Sequence, residues 1–438
     1  MVAGTCSEAG RGGVTMGDRV APAPVDGRPT GRPAPDDGEV LRTREQALEH
    51  VHAICFKTGP PRRVGVELEW IVHHAEDPAR RIDRPTLAAA LGEHAPRTLS
   101  PDSPEQPLPS GGTVTVEPGG QVEIATPPHS SLAQLHADAS ADLGHLTARL
   151  ASHGLRLGEH AIDPYRSPSR LLHTRRYDAM ATVFSRHGGA GLTMMCGTAA
   201  TQVCVDAGEP DRLPGRWRAL HALGPVLVAL FANSRRHAGR DTGWASARMR
   251  TWLDTDPSRT APVKAGASAG EPALAWAHYA LDAPLLCLRR PDGGWDPPAG
   301  VTFADWIDGR LRPAPTIDDL EYHLGTLFPP VRPRGYVEAR FLDAQSPRDW
   351  FAPVAVLAAV LGSDETTAQV RDVAAPVAGA WTTAARSGLA DRAVRAAAAR
   401  VVDLACRALT DTDLSATTRD AVTETVSRRL AGRKEDPR

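Results

Sequence analysis

Residues 64–70 read VGVELEW. In an extended chain successive side chains point to opposite sides, so Val64, Val66, Leu68 and Trp70 share one face and Gly65, Glu67 and Glu69 the other. Such a strand has one face to bury and one charged face, the alternation of an antiparallel sheet packed on one side only. The pattern recurs along the chain. TVTVE (113–117) and QVEIAT (121–126) flank Pro118-Gly119-Gly120, which predicts a β-hairpin with Val114, Val116, Val122 and Ile124 on one side and Glu117 and Glu123 on the other. TQVCVD (201–206) and YVEARFL (336–342) predict further strands, the second placing Glu338 and Arg340 on one face.

Outside these strands the apolar period lengthens to that of a helix. Thr43 stands three residues before Gln46, a capping box, and Ala47, Leu48, Val51, Ile54 and Cys55 follow at helical spacing until Gly59-Pro60-Pro61. A second helix is expected from Ser131, with Leu132, Leu135, Leu143, Leu146 and Leu150 on one stripe and Gly154 as its stop. The Ala-rich segment from Phe351 to about Leu430 predicts helices broken by short loops. Strands mixed with runs of helix and no internal repeat point to one α+β domain over residues 43–432. Residues 1–42, crowded with Gly, Pro, Ala, Asp and Arg and without periodicity, are expected to form a disordered tail.

Composition narrows the chemistry. The 438 residues carry 50 basic and 52 acidic side chains, a formal net charge of -2, so there is no overall field to hold nucleic acid or an anionic membrane. Lys57, Lys264 and Lys434 are the three lysines, and none lies in a GxxxxGK[ST] context, which excludes a P-loop and makes lysine catalysis an unpromising reading. No apolar run approaches the roughly 20 residues of a membrane span, and the first residues, MVAGTCSEAGRGG, have no apolar signal region. Six widely spaced cysteines without a CxxC pair suit reduced thiols in a cytoplasm. Cys196 and Cys204 are expected to act as small buried side chains rather than nucleophiles.

A single E-x-E strand is most simply a solvated sheet face. The strands bearing Glu67, Glu69, Glu117, Glu123 and Glu338 together invert that reading, because glutamate is depleted in strands and these carboxylates would repel one another without a cation. Mg²⁺ fits, since it takes carboxylate oxygens and completes its shell with water and substrate phosphates. The segment SARMRTWLDTDPSRT (246–260) sets Arg248, Arg250 and Arg259 around Trp252; alone it reads as surface ion pairing, but beside an acidic metal face it is a candidate clamp for a carboxylate or phosphoryl group. Tyr177 and Trp252 are candidates to flank a substrate, and equally candidates for core positions.

With these segments in view the chain resembles the glutamate-cysteine ligase family, in the branch of plant and actinobacterial enzymes. VGVELEW, VTVEPGGQVEIATPP (114–128), RYDAM (176–180), TMMCGTAATQVCVD (193–206), FANS (231–234), the 246–260 segment and GYVEARFLDAQ (335–345) occur in the family's order. The likeness is greatest to actinobacterial members that supply γ-glutamylcysteine to ergothioneine synthesis. It implies a fold similar to the glutamine synthetase catalytic domain, a curved and mainly antiparallel sheet with helices outside. It also implies ATP-dependent joining of L-glutamate to L-cysteine through an acyl phosphate. By match, Glu67, Glu69, Glu117, Glu123 and Glu338 are metal-binding positions, and Gln202 falls where some relatives place a metal-binding histidine. Arg248 matches the position that holds substrate glutamate, with Tyr177, Trp252 and Arg259 as further substrate-binding candidates, while Arg340 and Arg250 are the residues expected to meet charge on the transferring phosphate. A monomer or weak homodimer is expected. Two rivals stay open: a γ-glutamyl ligase with another amine acceptor, and a Mg²⁺-dependent phosphoester hydrolase, which would want the same acidic face.

Overall fold

In the computed structural model, which describes residues 38–264 and 271–432, VGVELEW forms strand β1 (Val64–Trp70). It lies within a six-stranded sheet together with β2 (Thr113–Val116), β3 (Val122–Ala125), β4 (Ala200–Val205), β5 (Val331–Pro333) and β6 (Val337–Asp343), in the spatial order β2-β3-β1-β4-β6-β5. Every neighbouring pair is antiparallel. The hairpin between β2 and β3 forms where Pro118-Gly119-Gly120 predicts it, with Gly120 at a φ of 90°, a conformation that suits glycine.

Register assigns the faces, because directly opposed residues point to the same side. Glu69 is opposite Glu123, Glu67 is opposite Gln202 on one flank and Ala125 on the other, and Glu338 is opposite Cys204. The other side carries Val66, Leu68, Trp70, Val203, Val205, Val337, Ala339 and Leu342, all buried. Helices α2 (Leu132–Ala151), α4 (Leu213–Leu230) and α6 (Phe351–Val360) pack on the sheet. Their buried side chains join the apolar face in one hydrophobic cluster. Each fully buried aliphatic or aromatic side chain there contributes about 1.5–3 kcal/mol. Helix α4 is apolar on nearly every side, and it is accordingly enclosed on nearly every side.

The remaining elements follow their local signals. Helix α1 (Arg44–Cys55) starts with the Thr43–Gln46 capping box, and the Ser131 hydroxyl accepts the Gln134 N–H at the start of α2. Helix α3 (Arg175–Ser185) carries Tyr177, and α5 (Ala247–Thr255) carries Arg248, Arg250 and Trp252. Five helices occupy 351–430, as the Ala-rich segment predicts. Residues 1–37 of the expected tail lie outside the described residues, but 38–42 are placed: Val40 bridges to Thr316, and Leu41 is buried. Among the described residues no helix is long and apolar enough to cross a membrane.

One irregularity bears on the site. Ala339 pairs with Val203 and Leu342 with Thr201, so β6 accommodates one extra residue between them, a β-bulge. After the bulge Asp343 stands opposite Ala200, on the same side as Glu338.

Candidate active site

The charged face of the sheet gathers the glutamates. Glu67, Glu69 and Glu117 are partly exposed and Glu123 is buried. Among the described residues none of these four forms an ion pair. Glu69 accepts the Ala200 N–H at 2.8 Å and the Gln202 amide at 2.9 Å, and Glu123 accepts the Thr115 hydroxyl at 2.7 Å. Burial, reinforced by Glu67, Glu69 and Glu117, pushes Glu123 well above the usual carboxylate range. Burial and then Glu69 raise Glu117 to about 7. Glu67 and Glu69 are also raised, in each case chiefly by burial. Four carboxylates on one face, raised chiefly by burial and with no cationic side chain paired to them among the described residues, are of the chemistry that hard divalent cations prefer.

Glu338 behaves differently. It is buried, and its Oε2 accepts from Arg332 Nε at 2.7 Å and from Arg340 Nη1 at 3.2 Å, with Arg334 at 3.6 Å from Oε1. Burial opposes its ionisation, yet Arg332, Arg334 and Arg340 outweigh that and hold it down at about 2. Its oxygens are therefore engaged by guanidinium groups. The Cys204 thiol lies with them: Glu67, Cys204 and Glu338 have ligand atoms within 4.8 Å of one another. Burial and then Glu67 raise that thiol well above its usual value.

An arginine clamp borders the carboxylates. Arg248 and Arg340 are buried, and their guanidinium carbons lie 5.0 and 5.9 Å from the Trp252 ring. Trp252 is held in place by its indole N–H, which donates to the Phe328 carbonyl at 2.7 Å. Arg248 Nη2 donates to the Arg340 carbonyl at 2.9 Å. Among the described residues its Nε and Nη1, and Nε of Arg340, have no hydrogen-bond acceptor. Buried guanidinium donors are almost always satisfied, so three without an acceptor beside a shared aromatic face stand out as donors able to take an anion. Gln202 joins the two halves, donating to Glu69 and accepting from Arg340.

The sequence model of glutamate-cysteine ligase family 2 (GCS2) matches residues 63–432, which span the whole of this face. The chain belongs to the glutamate-cysteine ligase family. It is a ligase. It is 42% identical over 383 residues to glutamate–cysteine ligase EgtA of Mycobacterium tuberculosis (strain ATCC 25618 / H37Rv), covering 85% of each chain. With EgtA of Mycolicibacterium smegmatis it shares 40% over 370 residues, covering 82% of this chain and 84% of the relative. The chloroplastic glutamate–cysteine ligase of Arabidopsis thaliana is 30% identical over 286 residues, covering 64% of this chain and 54% of the plant enzyme. Among solved structures, glutamate–cysteine ligase (gshA) of Francisella tularensis in complex with AMP is similar, with a TM-score of 0.50 at 13% identity, covering 86% of this chain and 83% of that one. That likeness speaks for the fold, an open antiparallel sheet with helices outside.

The structure of the ligase engages two of the expected site residues, Arg250 and Arg259, away from the charged face. Arg250 points away from the clamp: it is exposed, pairs with Asp254 at 3.3 Å and lies over Trp244. Arg259 is fully buried and structural, with Nε 2.7 Å from Asp256 and its other nitrogens on the carbonyls of Thr326 and Pro284. Neither reaches the sheet face, because α5 turns Arg250 outward and Asp256 retains Arg259. The amide oxygen of Gln202 accepts from Arg340 and its amide N–H donates to Glu69, so Gln202 bridges the two groups. Glu338 takes hydrogen bonds from Arg332 and Arg340 on one oxygen and still stands with Glu67 and Cys204 in a group able to hold a metal ion. Tyr177 is buried beside the acid face, where burial and then Glu117 push its phenol up. Period-two reading overlooked Arg332 and Arg334, although RPRGYVEAR (332–340) carries three arginines around one glutamate. Cys204, expected as a small buried side chain, is instead half-buried on the charged side, two residues along β4 from Gln202.

Proposed function

We propose that this ligase uses ATP to join the γ-carboxylate of L-glutamate to the amine of L-cysteine, giving γ-glutamylcysteine, ADP and phosphate. The observation that carries the reading is the juxtaposition on one sheet face of four carboxylates without ion-pair partners and two buried guanidinium groups with free donors. Glu67, Glu69, Glu117 and Glu123 would hold Mg²⁺, which when bound offsets charge on the phosphate oxygens of ATP. Arg248 offers Nε and Nη1 to the substrate α-carboxylate, with its guanidinium 5.0 Å from the Trp252 ring. Arg340 presents Nε to oxygens of the transferring phosphoryl group.

No protein nucleophile is needed. The substrate γ-carboxylate oxygen attacks the γ-phosphorus and ADP leaves; the cysteine amine then attacks the acyl carbon, the C–O bond to phosphate breaks, and the amine loses a proton. What this chain supplies is position and charge compensation, which suits phosphoryl transfer. The relatives named EgtA support the ligase reading; supply of γ-glutamylcysteine to ergothioneine synthesis, a cytoplasmic location and a monomer or weak homodimer belong to the same proposal.

A coupled ADP-release assay tests the reading, with glutamate fixed and the amine varied across cysteine, its analogues and other amino acids. ADP release should require both glutamate and cysteine. Equal release with another amine would move the acceptor assignment, and phosphate release that ignores amino acids would replace the ligase reaction with hydrolysis.

A further inference from the structure

The clamp's two free donors on Arg248 raise a question of support, because a guanidinium on a flexible stem holds one direction only if something else holds it. Its direct hydrogen bond from Nη2 to the Arg340 carbonyl fixes one corner. The rest comes from Asp343. This carboxylate is buried and lies 3.8 Å from Arg248 Nη1, close enough to attract the charge and too far to occupy the N–H.

Asp343 also governs the backbone that carries Arg248. Its Oδ2 accepts the Asn233 N–H at 2.8 Å and the Ser234 hydroxyl at 2.7 Å, and its Oδ1 accepts the Ser246 hydroxyl at 2.8 Å. Because an ionised carboxylate only accepts, both serine hydroxyls must spend their hydrogens on it and turn their lone pairs outward. Those lone pairs meet the first turn of α5: Ser234 accepts the Arg248 N–H at 3.1 Å, and Ser246, the N-cap, accepts the Met249 N–H at 3.0 Å. One carboxylate thus orients two hydroxyls, which orient two successive helix N–H groups, one of them on the clamp residue itself.

We infer that Asp343 is the positioning residue of the arginine clamp, aiming Arg248 at the substrate carboxylate without touching substrate. The inference rests on the glutamate-binding role proposed for Arg248. Asp343→Asn keeps the side-chain size but puts an NH₂ group where one of three donors now binds, so the two hydroxyls cannot both be oriented.

The test is steady-state kinetics of the full chain on wild type, Arg248→Ala, Asp343→Asn and the double variant, with folding checked by thermal unfolding. Asp343→Asn should raise KM for glutamate about tenfold or more and leave KM for ATP within about twofold. The double variant should be little worse than Arg248→Ala, since both changes remove one function. Equal rises in both KM values, or additive effects, would overturn the inference. If Asp343→Asn does not fold, Ser234→Ala takes its place, and an unchanged glutamate KM would count against the relay. The underlying reading is judged separately by Arg248→Ala alone: should that variant spare glutamate and weaken another acid, the substrate assignment falls and Asp343 is judged on that acid's KM.

Discussion

Glu69 and Glu123 stand directly opposite one another on adjacent antiparallel strands. Like charges in that relationship destabilise a sheet, and burial pushes both carboxyls above their usual range. The arrangement becomes intelligible when the pair is part of a cation site, and four predictions grow from this face and its clamp.

Replacing Glu69 with Gln relieves the repulsion while an amide oxygen can still accept the Ala200 N–H. The variant should melt no lower than wild type and lose roughly 100-fold or more in kcat, the scale of losing several kcal/mol of charge compensation. Steady-state ADP release alongside a melting curve decides it, and wild-type turnover would remove the argument for a metal face.

A cation that binds the folded chain alone must stabilise it by mass action. Saturating Mg²⁺ should raise the melting temperature of chelator-treated protein, and Glu69→Gln together with Glu123→Gln should abolish the rise. A melting temperature indifferent to Mg²⁺ in wild type would contradict the assignment of these carboxylates.

The clamp separates two arginines two residues apart on one helix. Arg248→Ala should raise the glutamate KM about tenfold or more relative to that for ATP, whereas Arg250→Ala, which loses only an exposed ion pair, should stay within about twofold on both. Comparable losses from the two variants would show that the orientation of α5 has been misjudged.

Arg259 belongs to the scaffold. Arg259→Met leaves Asp256 without its buried partner, and the expected cost is about 3–5 kcal/mol of unfolding free energy. Urea denaturation measures it. A fully stable variant with a selectively raised substrate KM would return Arg259 to the substrate site.

The acid face was legible in the sequence because period-two alternation is local. Glu67 and Glu69 share a side whatever β1 pairs with, and the Pro-Gly-Gly turn sets Glu117 and Glu123 on one side of a hairpin. The two halves of Ser246–Thr260 were not separable in the same way. Arg248, Arg250 and Arg259 read as one cluster in one dimension, while the helix rotates Arg250 to solvent and Asp256 draws Arg259 into the core.

Asp343 marks the boundary most clearly. Counted by twos from Glu338 it belongs with the apolar residues, on the far side from the carboxylates. The extra residue between Ala339 and Leu342 reverses that parity and delivers it to the charged side, beneath Arg248. The sequence by itself determined which strands carry charge on one face and which family the segments resemble. Only the tertiary structure decided which charges are neutralised by neighbours, as Glu338 is, and which are left for a ligand. The reason is physical: side-chain alternation is a property of one strand, but register, bulges and ion pairing are set by the strands and helices packed beside it.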